Sequence, residues 1–130
     1  MRVGIGYDIH RLIPTDEDSS IVVGGVPVPC HLRVEAHSDG DVLYHALTDA
    51  LLGALALGDI GNWFPDTKAE NKGRDSAVFV KEALMEVHRL GWEVNNVDSV
   101  ISIEKPKMAP YIDGIRQNLA QLLKVELSSV

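Results

Sequence analysis

In "VLYHALTDALLGALAL", the stretch from Val42 to Leu57, nearly every residue is apolar. A helix of that composition is buried on most of its circumference, so the rest of the chain has to cover it. With 130 residues, 45% of them hydrophobic, there is material for one core and too little for two ordinary domains. A single domain over residues 1–130 is expected. Ser38 as N-cap with Asp41 three residues on has the pattern of a capping box, which predicts a helix from Asp39 to about Leu57.

His45, Thr48 and Asp49 are the exceptions in the apolar run. A polar group buried without a partner costs roughly 1–3 kcal/mol, so His45 must meet a hydrogen-bond acceptor or a metal. Asp41, His45 and Asp49 are spaced i, i+4, i+8, which would let one of the carboxylates orient the imidazole from behind. The opening "MRVGIGYDIHRL" reads as a strand over residues 2–9, and side chains two apart leave a strand on the same side. Asp8 and His10 therefore point together. Joined with His45 they form a two-histidine, one-carboxylate set, the arrangement that leaves a zinc ion an open fourth position. A core histidine bonded to a carbonyl, with Asp8 and His10 in an ordinary salt link, would use the same residues.

The other elements follow from pattern. Ile21–Val23 and Val26–Val28 flank Gly24-Gly25 and predict a tight hairpin, with Pro14 and "TDEDSS" forming the loop before it. "GDIGNWFPDTKAENKGRDS" is a long polar loop, of the length usual in lids or disordered segments. Val80, Ala83, Leu84 and Val87 keep helical spacing within 76–90, and Gly91 ends that run. Val97, Ile101 and Ile103 alternate with polar residues as in a half-buried strand, and Ile112, Ile115, Leu119 and Leu122 mark a third helix. Strands alternating with helices predict an α+β or α/β sandwich, with helices packed on one face of a mixed sheet.

Charge and cysteine content limit the partners. Twelve Lys+Arg against nineteen Asp+Glu give a formal charge of -7, which argues against nucleic acid or an anionic membrane as the main partner. An anionic substrate would need local positive charge. Cys30, the single cysteine, cannot form an intramolecular disulfide and fits a reducing compartment. No leader-like segment precedes the first strand and no apolar run approaches the ~20 residues that cross a bilayer.

Smaller motifs divide into discards and candidates. Gly4-Ile5-Gly6 is not a dinucleotide loop, because Ile9 stands where the third glycine belongs and no helix follows directly. His37 and Ser38 start the buried helix, where free N–H groups favour a phosphate, although on their own they are more simply explained by capping through Ser38. In "EKPKMAP", Lys105 and Lys107 stand beside prolines that fix the backbone, and a cation there suits a diphosphate.

"GYDIHRL", "AHSDGDVLYHALTDALLGALALGDIGNWFPDT", "KGRDS" and "PKM" together resemble the 2-C-methyl-D-erythritol 2,4-cyclodiphosphate synthase family of the non-mevalonate isoprenoid pathway, through nearly the whole chain. The resemblance implies a reaction in which the 2-phosphate of 4-diphosphocytidyl-2-C-methyl-D-erythritol 2-phosphate attacks the β-phosphorus of the same molecule and expels CMP. It implies zinc on Asp8, His10 and His45, with a second divalent ion, magnesium or manganese, between the phosphates. Asp8, Ile9 and His10 fall in the family's substrate-binding motif, and His37 and Ser38 match its phosphate and transition-state contacts, His37 as the catalytic residue. Asp59, Ile60 and Gly61 match its methylerythritol loop, and Phe64, Pro65, Asp66, Thr67 and Lys68 its mobile flap. Ile103, Glu104, Lys105, Pro106, Lys107, Met108 and Ala109 match the segment that receives the cytidine diphosphate end.

The same resemblance implies a four-stranded mixed sheet with helices on one face. It also implies a homotrimer with active sites at the subunit interfaces, in bacterial cytoplasm or, for a processed plant enzyme, the plastid stroma. Family members continue beyond "VELSSV" into two further strands, which suggests a carboxyl-terminally incomplete domain. Two other readings use the same residues: a zinc hydrolase that activates water, and a non-catalytic trimeric module whose metal is structural.

Overall fold

Gly24 and Gly25 turn the chain with φ of 56° and 73°, the paired positive values a two-residue type I′ hairpin requires. The hairpin they close is longer than its apolar ends suggest. Strand β1 (Arg11–Val23) pairs antiparallel with β2 (Val26–Glu35), from Val23 opposite Val26 to Arg11 opposite Glu35. Pro14 and "TDEDSS", expected as loop, lie inside β1. The register shifts between Pro14 and Ser19, so the acidic residues bulge out of the ladder rather than ending it.

The computed structural model describes all 130 residues as an α+β fold. After the hairpin come α1 (Val42–Ala54), α2 (Ile60–Trp63), α3 (Ala77–Arg89) and α4 (Ile112–Leu123), with 3-10 turns at Ala69–Asn71, Ala109–Tyr111 and Leu127–Ser129. Ile21, Val23 and Val28 from the hairpin meet Leu47 and Leu52 of α1, Val80 and Leu84 of α3, and Leu119 and Leu123 of α4 in one core.

The hydrogen-bonded sheet has two strands. Residues 2–9 and 97–104, expected as strands, join no ladder, yet both keep the alternation that pointed to strands. Val97, Ile101 and Ile103 pack against the core, while Asp98, Ser102 and Glu104 are exposed. In the first segment Val3, Ile5, Tyr7 and Ile9 are between 74% and 90% exposed, and the even-numbered side lies on α1. A Cβ on Gly4 would run into the Ala50 carbonyl, and one on Gly6 into the Ala46 carbonyl. Only glycine permits that approach.

Helix α1 begins later than expected, because its N-cap is Asp41 and not Ser38. One oxygen of Asp41 accepts from the N–H groups of Tyr44 (3.1 Å) and Gly24 (2.9 Å), and the other from Gly25 (2.7 Å). A fully buried carboxylate thus ties the start of α1 to the hairpin turn. Losing an N-cap costs about 1 kcal/mol and leaving a buried donor unmet about 1–3 kcal/mol. Asp41→Ala is therefore expected to lower stability by about 2 kcal/mol in urea unfolding, with Asp41→Asn losing less; equal stability of Asp41→Ala and the parent chain would refute the tie.

Candidate metal centre

His45 sits on the first turn of α1, its N–H bonded to the Asp41 carbonyl at 3.0 Å. The close seating of Gly4 and Gly6 on α1 carries the following even-numbered residues, Asp8 and His10, to the same place. Asp8 Oδ2 lies 2.9 Å from His10 Nε2 and 3.2 Å from His45 Nδ1, and the two ring nitrogens are 3.0 Å apart. These three atoms make a nearly equilateral triangle, and they form the one cluster whose donors all lie within 4.8 Å of one another. Donors held 2.0–2.1 Å from a tetrahedral zinc stand about 3.3 Å apart, so the triangle is close to the size a divalent ion needs. Neither imidazole ring is bonded to a backbone carbonyl, as the ring of an ordinary core histidine would be.

Burial pushes the Asp8 carboxyl up, but hydrogen bonds with His10 and His45 outweigh it and hold the group well below the usual carboxylate range. The hydrogen bond with Asp8 raises His10 against its partial burial, with smaller help from the Asp66 and Asp39 charges. Asp8 is thus ionised and ready to act as a ligand, and Asp66 of the flap is near enough for its charge to be felt at His10.

Behind the triangle the structure corrects an expectation. Asp41 and Asp49 do not orient His45: Asp41 caps α1, and Asp49 accepts the Ile60 N–H at 2.7 Å. His45 Nε2 instead meets Ser76 Oγ at 2.8 Å and Ser38 Oγ at 3.0 Å, and the Ser76 hydroxyl donates to Asp39. Ser76 stands at the N-cap position of α3 but makes no side-chain cap bond, because its hydroxyl is engaged with His45 and Asp39. Its place before an amphipathic helix reads as a cap and hides that use. Only the place of Asp39 and Ser76 within the quoted "AHSDGD" and "KGRDS" stretches could have marked them.

The remaining candidates surround the triangle at different distances. His37 is partly buried, and its Nε2 is enclosed with no hydrogen-bond partner, the only such side-chain atom in the chain. Its carbonyl accepts the Gly73 N–H at 2.7 Å, joining it to the end of the flap loop. Asp59, Ile60 and Gly61 start the short helix α2, where Asp59 caps the Asn62 N–H at 2.9 Å, and Asp49, one turn of α1 beyond His45, holds the Ile60 N–H. In the segment expected as a flap, Phe64 is buried against Phe79 with ring centroids 4.5 Å apart, while Asp66, Thr67 and Lys68 are exposed and Pro65 is half-buried.

The loop that follows Phe64 is anchored at further points. Asn71 is buried and donates to the Pro65 carbonyl at 3.0 Å, and Arg74 bonds Asn71 and Glu82 while lying over both phenyl rings. A cavity of about 280 Å³ is lined by Asp8, Ile9, His10, Ser102 and Ile103 among others, so the 103–109 segment starts beside two of the three triangle residues. Glu104, Lys105, Lys107 and Ala109 are exposed beyond it and Pro106 is half-buried, whereas Met108 belongs to the core.

The sequence matches the YgbB family over residues 1–130. A Pseudomonas savastanoi pv. phaseolicola protein named 2-C-methyl-D-erythritol 2,4-cyclodiphosphate synthase is 52% identical over 130 residues, covering 100% of this chain and 81% of the relative. Among solved structures, a 2C-methyl-D-erythritol-2,4-cyclodiphosphate synthase described as a CDP-bound form superposes with a TM-score of 0.89 at 37% identity, covering 98% of this chain and 83% of that one. A Plasmodium falciparum protein described as a CDP complex gives 0.83 at 34% identity, covering 98% and 76%. The chain belongs to the YgbB family, the family of the 2-C-methyl-D-erythritol 2,4-cyclodiphosphate synthases.

Proposed function

We infer that the chain forms 2-C-methyl-D-erythritol 2,4-cyclodiphosphate, the activity its relatives are named for, in isoprenoid precursor synthesis. It is an enzyme acting on a small nucleotide-linked substrate, 4-diphosphocytidyl-2-C-methyl-D-erythritol 2-phosphate, and it releases CMP. The observation that carries this reading is the Asp8, His10, His45 triangle, two of whose members, Asp8 and His10, line a cavity shared with Ile103.

The reaction is intramolecular, so the protein's task is to fold a flexible polyanion into a near-attack geometry and to offset crowded phosphate charge. Asp8, His10 and His45 would hold a divalent ion, zinc in this proposal, which when bound would supply a Lewis acid for phosphate oxygens. His37, with an enclosed and unpartnered ring nitrogen, offers a hydrogen bond to a phosphate oxygen in the transition state, and Ser38 lies beside it. Ile9 completes the substrate-binding motif between the two ligands. Asp59, Ile60 and Gly61 contact the methylerythritol, and Phe64–Lys68 close over it. Residues 103–109 receive the cytidine diphosphate end, with Lys105 and Lys107 bringing cationic charge to a chain whose overall balance is acidic. A second divalent ion, magnesium or manganese, would offset further phosphate charge in this proposal.

The four-stranded mixed sheet and the homotrimer of the family extend the proposal. Their support is the row Val3, Ile5, Tyr7 and Ile9, four apolar side chains left 74% to 90% exposed on one side of the segment, a surface of the kind that marks protein contacts. Sedimentation velocity should therefore give a species of three chains, and a purely monomeric active protein would contradict it. None of the four helices is long and apolar enough to cross a membrane. A zinc hydrolase is not favoured, since the relatives matched across the whole chain are cyclising enzymes. Product analysis separates the two: the zinc-loaded protein should yield CMP and a cyclic diphosphate, and a linear phosphate ester as the product would refute the assignment.

A further inference from the structure

We propose that Asp39 is a positioning residue for the metal centre, acting on His45 through the hydroxyl of Ser76. The inference rests on the reading of Asp8, His10 and His45 as metal ligands. His45 Nδ1 faces Asp8 and His10. A metal takes a nitrogen lone pair, so ligation through Nδ1 places the ring proton on Nε2. Nε2–H then donates to Ser76 Oγ at 2.8 Å, the shorter of its two hydroxyl contacts (Ser38 Oγ is at 3.0 Å), and the single hydroxyl proton of Ser76 is donated in turn to Asp39 Oδ1. An ionised carboxylate only accepts, so this chain of bonds runs in one direction and ends at Asp39.

The end of the chain is fixed. Asp39 Oδ2 accepts the Ser76 N–H at 3.0 Å and Oδ1 accepts the Asp41 N–H at 3.0 Å, so two backbone groups aim the carboxylate. Ser76 is wholly buried, which keeps water from replacing its hydroxyl. Asp39 thereby selects the tautomer and the ring angle that leave Nδ1 free for a metal. Reversal of the chain would require Ser76 to donate to Nε2, which would put the ring proton on Nδ1 and block ligation. An amide at position 39 allows that reversal, because its NH2 can donate to Ser76 Oγ.

The test is zinc affinity, measured on the full chain by competition with a chromophoric chelator after metal removal. Asp39→Asn and Ser76→Ala should each weaken zinc binding by about 10- to 100-fold, the range found when a partner behind a metal ligand is removed. Because Asp39 acts through Ser76, the double variant should bind zinc no more weakly than Ser76→Ala, within about twofold. The visible absorption of the cobalt(II)-loaded chain should also change in Asp39→Asn, as a reoriented imidazole alters the ligand field. Asp39→Asn is nearly isosteric, so with a far-ultraviolet dichroism spectrum matching the parent it carries the test even if Ser76→Ala fails to fold.

Zinc affinity of Asp39→Asn within about twofold of the parent, losses that multiply in the double variant, or an unchanged cobalt spectrum would overturn the proposal. A parent chain that binds no zinc refutes the ligand set, and the positioning role falls with it. A parent that binds zinc beside unaffected variants refutes the positioning role alone.

Discussion

His45→Ala is expected to empty the metal centre. The parent chain should carry about one zinc after purification, and the variant less than about a tenth of that, because two ligands cannot hold the ion a three-ligand site binds. CMP release should fall about a thousandfold or more, since metal polarisation of phosphoryl oxygens contributes several kcal/mol and each 1.36 kcal/mol is about tenfold in rate. The variant should still fold, because His45 contributes little to the apolar core gathered from the hairpin, α1, α3 and α4. Metal content by emission spectrometry checks the first statement, and full zinc occupancy in His45→Ala would remove this residue from the ligand set.

Gly6→Ala should have the largest effect on stability. The added methyl would overlap the Ala46 carbonyl oxygen and come within 3.0 Å of the Ala50 backbone nitrogen. Backbone atoms of a buried helix cannot swing aside as a side chain does, so the first segment has to lift from α1. A loss of about 3 kcal/mol, the upper end of ordinary overpacking, is expected in urea unfolding. Because Asp8 and His10 follow on the same segment, zinc affinity should fall with stability. Gly53→Ala is the control: it lies within α1, its Cβ would meet only the Ile5 carbonyl at 3.9 Å, and alanine there should stabilise by about 0.5–1 kcal/mol. Equal stability of Gly6→Ala and the parent would mean that the segment does not depend on this contact.

What the sequence makes legible is whatever follows a short period. Asp8 and His10 share a side because the alternation over residues 2–9 holds in three dimensions, even without a hydrogen-bonded ladder, and the apolar run identifies the helix that brings His45 to them. The relay behind His45 escapes such reading. Ser76 lies 31 residues from His45 and 37 from Asp39, so no local spacing relates them, and each also fits a commonplace local role at a helix start. Asp41 is hidden for the same reason: two of its three donors are the glycine amides of a hairpin turn 16 and 17 residues earlier. The acidic stretch before the hairpin misleads in the opposite way. Pro and acidic residues mark a loop by composition, yet an exposed edge strand accommodates both by bulging.

The central claim is that the phosphate of the substrate, and not water, attacks phosphorus at this site. Turnover of 4-diphosphocytidyl-2-C-methyl-D-erythritol 2-phosphate by the zinc-loaded protein in 18O-labelled water tests it most directly, with phosphorus NMR and mass spectrometry of the products. Intramolecular attack transfers no solvent oxygen, so CMP and a cyclic diphosphate free of label are predicted. One labelled oxygen on phosphorus in a linear product would show that water is the nucleophile and would contradict the account.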